Sequence, residues 1–329
     1  MDGCSIARYR REAVSCFAAA WVLPVAVSPI ANGAVAIREG RVLAAGARLE
    51  LEKLYPESEW FDLGNSAIMP GLVNAHSHLE LTAMRGLLEH SDFRAWIEAL
   101  TDIKLTRMTH ADLFDSARLG ALEAVRAGIT ACADTCDTGV ALDALAEIGL
   151  GGAVYQEVFG PDPAQCHDSL AKLCDKVAAL SERAQGSNVA VGVSPHAPYT
   201  VSAALFRAVA DYAGTNALPV AIHAAESDAE EQFVRHGGGT FADRLSARGI
   251  DWPAQGVSTV GYLERLGVLE TRPLLIHAIR VPDEEMDAIA RTGSTVAHCP
   301  TVFMRRGIAL NTFGSYARAG INLGIGTDT

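Results

Sequence analysis

Eight apolar segments of this chain each end in a residue that titrates: His76, Asp134, Glu157, His196, His223, His277, His298 and Asp328. Burying such groups costs several kcal/mol unless they are paired or bind a metal. Their recurrence calls for a fold that brings many strand ends to one place. Helical stretches lie between them. Ala111–Ala127 has Thr109 as N-cap and Gly128 as stop, and Ser202–Ala213, Glu230–His236 and Asp283–Thr292 follow the same pattern. Alternating strand and helix over residues 70–329 predicts an α/β fold, a (β/α)8 TIM-like barrel. Chemistry in such a barrel sits at the C-terminal ends of its strands. The less regular region Gly237–Leu263 predicts a loop or extra helix inserted between strands five and six.

Residues 1–69 follow another pattern. Arg8, Arg10 and Arg11 precede an apolar run from Ala13 to Ala31, which imitates an export signal or a membrane anchor. Pro24 and Pro29 interrupt that run, and Trp21-Val22-Leu23 has strand character. Gly33–Ile37, the turn at Gly40 and Arg41–Gly46 then spell strand, turn, strand. The expectation is a small N-terminal β-rich domain over 1–69 and a barrel domain over 70–329. With 49% hydrophobic and 20% charged residues, disorder, collagen and coiled coil are excluded. A net charge of −12 leaves no basic surplus to displace counterions, so no nucleic-acid partner is expected. No membrane partner is expected either. The seven cysteines are odd in number and form no CxxC pair, which predicts reduced thiols and a cytoplasmic location.

His76 and His78 stand at i and i+2 of a strand and so face one side. Neutral imidazole is a good ligand for zinc and similar divalent metals. His223 ends strand five and supplies a third imidazole. Glu226, three residues on, is placed to shuttle protons beside a metal-activated water. Its plainer reading is a loop acid before a helix, since Ser227, Asp228 and Glu230 look like a capped N-terminus. His277 has three readings: a metal ligand, a hydrogen-bond partner of the hydroxide, or a satisfied core histidine. Asp328 either binds metal and takes a proton from the attacking water, or caps a turn. His196, between Pro195 and Pro198, suits a substrate contact. No lysine stands at that strand end to bridge two metals, which favours one metal. Glu157 faces the mouth as a substrate contact or a second metal ligand. His298-Cys299-Pro300 is either a packing turn or a substrate contact.

The ordered set His76-Ser77-His78, His223-Ala224-Ala225-Glu226, His277 and Gly326-Thr327-Asp328 resembles the amidohydrolase superfamily. PGLVNAHSHLE, SPHAPYTVS, AHCP and GIGTD are similar to its branch of aminohydrolases acting on nucleobase-like rings. That branch includes methylthioadenosine and adenosylhomocysteine deaminases, guanine deaminase and triazine chlorohydrolases. QEVFG at 156–160, with HSHLELTAMRG at 76–86, is similar to aminodeoxyfutalosine deaminases. Many relatives carry a Ser-Asn pair after the strand-seven histidine, where this chain has Thr301-Val302-Phe303-Met304.

The resemblance implies one divalent metal, Zn2+ or else Fe2+ or Mn2+, held by His76, His78, His223 and Asp328. His277 would orient the hydroxide formed on that metal, and Asp328 would accept its proton. Glu226 would protonate a ring nitrogen, the hydroxide would attack the adjacent ring carbon, and ammonia would leave. His196 and Glu157 would contact the substrate, with Arg94 or Trp96 capping the pocket from the first loop. The implied activity is a hydrolytic deaminase of an aminated heterocycle, aminopurine nucleoside-like, with aminodeoxyfutalosine as one candidate substrate. Two alternatives are a chlorohydrolase or cyclic amide hydrolase on the same site, and an inactive truncated protein of the same fold. The last rests on the chain stopping at Thr329, one residue past Asp328. On that reading the last barrel helix is missing and the β-rich domain, a composite sandwich in this family, is incomplete. Apolar surface is then expected beside strands one and eight, with self-association such as a homodimer.

Overall fold

The apolar run after the N-terminal arginines contains a β-strand, Ser15–Val22 (β1), in the computed structural model of the chain, which describes residues 13–87, 93–305 and 313–328. The chain divides into two compact units between Gly71 and Leu72. In the first, β1 is followed by Ile30–Arg38 (β2), Arg41–Ala47 (β3), the helix Arg48–Leu54 (α1), Glu59–Asp62 (β4) and Ala67–Ile68 (β5). The sheet order is β3-β2-β1-β4, with β5 also on β1. Glu39 and Gly40 join β2 to β3, both with positive φ (53° and 75°), as the favoured two-residue hairpin turn requires. Alternation puts Cys16 and Ala18 on one face, where they pack with Ala34, Ala36 and Leu51 of α1.

In the second unit, eight strands form two four-stranded sheets whose pairings are all parallel. The first holds Leu72–Ser77 (β6), Ile129–Cys136 (β7), Gly151–Val158 (β8) and Val189–Pro195 (β9). The second holds Ala221–Ala224 (β10), Leu274–His277 (β11), Thr295–His298 (β12) and Asn322–Ile325 (β13). Parallel bridges Val193↔Val220 and Ser77↔Asp328 join the two sheets at both seams, so the ring closes as a (β/α)8 barrel. Ala75 and Tyr155 pack with Ala221, Ile276 and Ala297 although β6 and β8 are sheet neighbours neither of each other nor of β10, β11 and β12, a contact available only across the barrel interior.

Two glycines allow the closing approach. A Cβ on Gly324 would lie 2.5 Å from the Ala75 Cβ, and one on Gly326 would lie 2.8 Å from the His76 Cβ. The chain bearing Asp328 can therefore reach β6 only without side chains at these positions.

The helices are Phe93–Thr106 (α2), His110–Arg126 (α3), Val140–Ile148 (α4), Cys166–Arg183 (α5), Ala203–Asn216 (α6), Asp228–His236 (α7), Thr240–Ala247 (α8), Thr259–Arg265 (α9), Asp283–Thr292 (α10), Pro300–Arg305 (α11) and Phe313–Arg318 (α12). Thr109 caps α3 reciprocally with Asp112, and the Ser202 side chain caps α6. The Gly237–Leu263 region, expected as a loop or one extra helix, contains α8 and the start of α9. Leu72 and Val73 on β6 and Ile325 on β13 are exposed. No helix among the described residues is long and apolar enough to cross a membrane.

Candidate metal centre and active site

The residues that end the strands converge at the barrel mouth. His76 and His78 alternate along the end of β6, with ring centroids 4.7 Å apart. The His223 ring on β10 is 5.1 Å from that of His76 and stacks on His78 at 5.4 Å. His277, the last residue of β11, is 5.7 Å from His76 and 5.5 Å from His223. Asp328 lies just past β13, where its Oδ1 stands 3.1 Å from His76 Nε2 and 3.5 Å from His78 Nε2. Its main chain is knitted into β6: Asp328 N–H donates to His76 O at 3.0 Å, and Asp328 O accepts from His78 N at 3.2 Å.

The protonation states suit a cation. A carbonyl oxygen can only accept, so His78 Nδ1 at 2.9 Å from Thr135 O carries its proton there. The same holds for His223 Nδ1, 3.3 Å from His196 O. Each ring then keeps its Nε2 lone pair for a ligand bond, with orientation fixed from behind. Burial above all pushes His78 down to about 3 and His223 well below the usual imidazole range, so both rings are neutral at pH 7. For Asp328, burial raises the carboxyl. The hydrogen bond with His76 and the fields of His277, His76 and His78 outweigh it and hold the group well below the usual carboxylate range. Donor atoms of His76, His223 and His277 lie within 4.8 Å of one another, as do those of His76, His78 and Asp328. Neutral imidazoles and one carboxylate fit a divalent transition metal.

Glu226 follows β10 and is buried, with Oε2 4.0 Å from His277 Nε2. Across the mouth, His196 is one residue beyond β9, and its Nε2 is 4.0 Å from Glu157 Oε1. Glu157 Oε1 is buried and accepts no hydrogen bond among the described residues. Burial, then the fields of Asp137 and Glu80, push this carboxyl well above its usual range. Glu157, His196 and His223 are a third set of donors within 4.8 Å, so Glu157 and His196 flank the metal set on the β8–β9 side. Ala225, His277, Ala278 and Asp328 all have positive φ (53°, 73°, 48° and 64°). Non-glycine residues in this region cost about 1–3 kcal/mol each and cluster where function demands a special geometry.

Two of the residues expected at the pocket lie on α2. The Arg94 side chain lies outside the described residues. Trp96 is half-buried on α2. The His298 ring packs on Phe303 at 4.8 Å, which favours the packing reading. Sequence reasoning also missed neighbours. Asp134 Oδ2 accepts from Ser77 Oγ (2.9 Å) and Leu79 N (2.7 Å), the residues on either side of His78. Lys104 of α2 pairs with Glu80 and Asp137, tying that helix to the segments after β6 and β7. Phe159, exposed just past β8, sets its ring 4.9 Å from His196. The one available signal was Asp134 ending an apolar strand with no chemistry assigned to it.

Asp134→Ala leaves the Leu79 N–H without its acceptor and is expected to weaken metal affinity about 10–100-fold. Asp134→Asn, whose single oxygen can take both hydrogen bonds, should retain most of it. Titration against a competing chelator measures both.

Residues 67–329 match the Amidohydrolase family. The chain belongs to that family. It is 32% identical over 302 residues to a 5-methylthioadenosine/S-adenosylhomocysteine deaminase of Nitratidesulfovibrio vulgaris, covering 91% of this chain and 64% of that protein. It is 31% identical over 308 residues to an aminodeoxyfutalosine deaminase of Deinococcus radiodurans, covering 90% and 72%. The chain thus spans under two thirds of the length of the first relative. A zinc-bound adenosine deaminase structure from Xanthomonas campestris superimposes with a TM-score of 0.78 at 21% identity, over 98% of this chain and 70% of that one. The zinc complex of atrazine chlorohydrolase from Arthrobacter aurescens gives 0.80 at 20% identity, over 96% and 72%. These two likenesses concern the fold.

Proposed function

We propose that this amidohydrolase is a metal-dependent hydrolytic deaminase of an aminated, aminopurine nucleoside-like heterocycle. The observation that carries the reading is the buried carboxyl of Glu226 held 4.0 Å from His277, beside the His76, His78, His223 and Asp328 cluster. One divalent metal, zinc by preference, would be held by those four residues and would supply an acidified water and a Lewis acid.

The chain's own groups do the rest. Asp328, an ionised member of that set, accepts a proton from the attacking water. His277 hydrogen-bonds that water and fixes its line of approach. Glu226 delivers a proton to the ring nitrogen beside the carbon under attack, so that the ring accepts electrons there. As the C–N bond breaks and the carbonyl forms, Glu226 takes back the proton of the new hydroxyl and Asp328 passes its proton to the departing amine, which leaves as ammonia. His196, hydrogen-bonded through Nδ1 to Thr200 Oγ1 at 2.8 Å, presents its other face to the ring. Glu157 offers a carboxyl to a polar edge of the substrate, and Phe159 offers a surface for stacking. The names of the relatives support adenosine-type rings as the first substrates to try.

The metal-loaded protein is expected to release ammonia from at least one of 5′-methylthioadenosine, S-adenosylhomocysteine, adenosine and aminodeoxyfutalosine, and a chelator should abolish the release. Chloride from a chlorinated triazine, or a ring-opened acid, appearing in place of ammonia would replace this reading with another hydrolysis at the same site. No product from a fully metallated protein across the panel would sink it.

A further inference from the structure

The segment Ser227-Asp228-Ala229-Glu230 has the sequence of a reciprocal helix cap, in which the glutamate side chain would return to the N–H of Ser227. Half of that pattern is present: Ser227 Oγ accepts from Glu230 N at 3.2 Å. The Glu230 carboxylate goes elsewhere. Its Oε1 accepts from Ala225 N at 2.9 Å, and its Oε2 accepts from Glu226 N at 2.8 Å. A third donor, Thr259 Oγ1 at the start of α9, reaches Oε1 at 3.0 Å. Glu230 is wholly buried, so its oxygens have no water to turn to.

The other side of the same peptide is tied as well. Ala225 O accepts from Ile279 N at 2.8 Å and Arg280 N at 2.9 Å, just after His277. Ala225 itself is left-handed, with φ 53°, a conformation an alanine keeps only when its surroundings impose it. The loop carrying Glu226 and the loop following His277 are therefore joined through one peptide, and Glu230 holds that peptide from below.

We infer that Glu230 is a positioning residue for the acid–base chemistry: its carboxylate locks the Ala225–Glu226 main chain so that the Glu226 carboxyl stays beside His277. The part concerning catalysis rests on the deaminase reading above; the clamp itself rests on geometry alone. A carboxylate is needed because two N–H groups and a hydroxyl converge on its two oxygens. An amide would turn an NH2 toward a donor.

The test is Glu230→Gln in the metal-loaded full chain, read in three ways. Hydrogen exchange of the Ala225 and Glu226 amides should accelerate at least tenfold, while metal content stays at the wild-type level. On a substrate that the wild type deaminates, kcat should fall about 10²-fold, the scale of a small misplacement of a reacting group, with KM within about twofold. The double variant Glu226→Gln/Glu230→Gln should be no slower than Glu226→Gln alone, because Glu230 acts through Glu226.

Unchanged amide exchange, an unchanged kcat, or losses that multiply in the double variant would each overturn the assignment. If the wild type deaminates nothing, the deaminase reading fails, and amide exchange still decides the clamp. Should Glu230→Gln not fold, Thr259→Val removes one donor at nearly constant volume. It is expected to speed exchange of the same two amides severalfold, and no change there would overturn the clamp.

Discussion

Glu226→Gln is expected to cut turnover by about 10²–10⁴-fold, the contribution of one positioned general acid–base group, with metal content unaltered. Glutamine keeps the volume and the polar contacts of the side chain but has no proton to pass to a ring nitrogen. Glu226 is buried and stands outside the His76, His78, Asp328 set, so its loss should remove chemistry without removing the metal. The measurement pairs elemental analysis with steady-state kinetics on whichever ring the wild type accepts. A variant that turned over within threefold of wild type would show that proton delivery comes from elsewhere. A variant that lost its metal would make Glu226 a ligand.

The second large effect is expected at the ligands themselves. Asp328→Ala and His78→Ala should each lower metal affinity by more than the 10–100-fold typical of a lost supporting partner, with activity falling in proportion. Asp328 is the only carboxylate in the two donor sets built around His76. Its Oδ1 lies within 3.5 Å of both His76 Nε2 and His78 Nε2, so removing it deletes a donor and the carboxylate of that set. Metal content after dialysis against a weak chelator reads this directly. Wild-type content in Asp328→Ala would shift attention to the Glu157, His196 and His223 donors.

The candidate site was legible in the sequence to an unequal degree. His76 and His78 could be paired from strand alternation alone, because i and i+2 must face the same way. Glu226 was visible only once a metal was granted, since three residues after a histidine is an ordinary spacing. Glu230 is legible only as part of a capped helix start, and Ser227 does cap α7, but nothing local says that the Glu230 carboxylate passes Ser227 to reach Ala225 and Glu226. Asp134 and Lys104 were invisible as supports because their partners are separated from them by tens of residues in the chain.

By itself the sequence determined what is local or periodic in this protein: the order of strands and helices, the capped start of α3, the hairpin at Glu39-Gly40 and the repeated placing of titratable residues at strand ends. These follow from backbone preferences and from the cost of burying polar groups, which neighbouring residues already specify. The tertiary structure decided everything that depends on closure. Gly326 matters because β13 must approach His76 across the last seam. Asp328 becomes a partner of His76 and His78 only through that seam, 252 and 250 positions away in the chain. The tautomers of His78 and His223 are set by carbonyls on neighbouring strands. Hydrogen bonds over such separations carry no local sequence signature, because the chain between them is free to vary so long as the barrel closes.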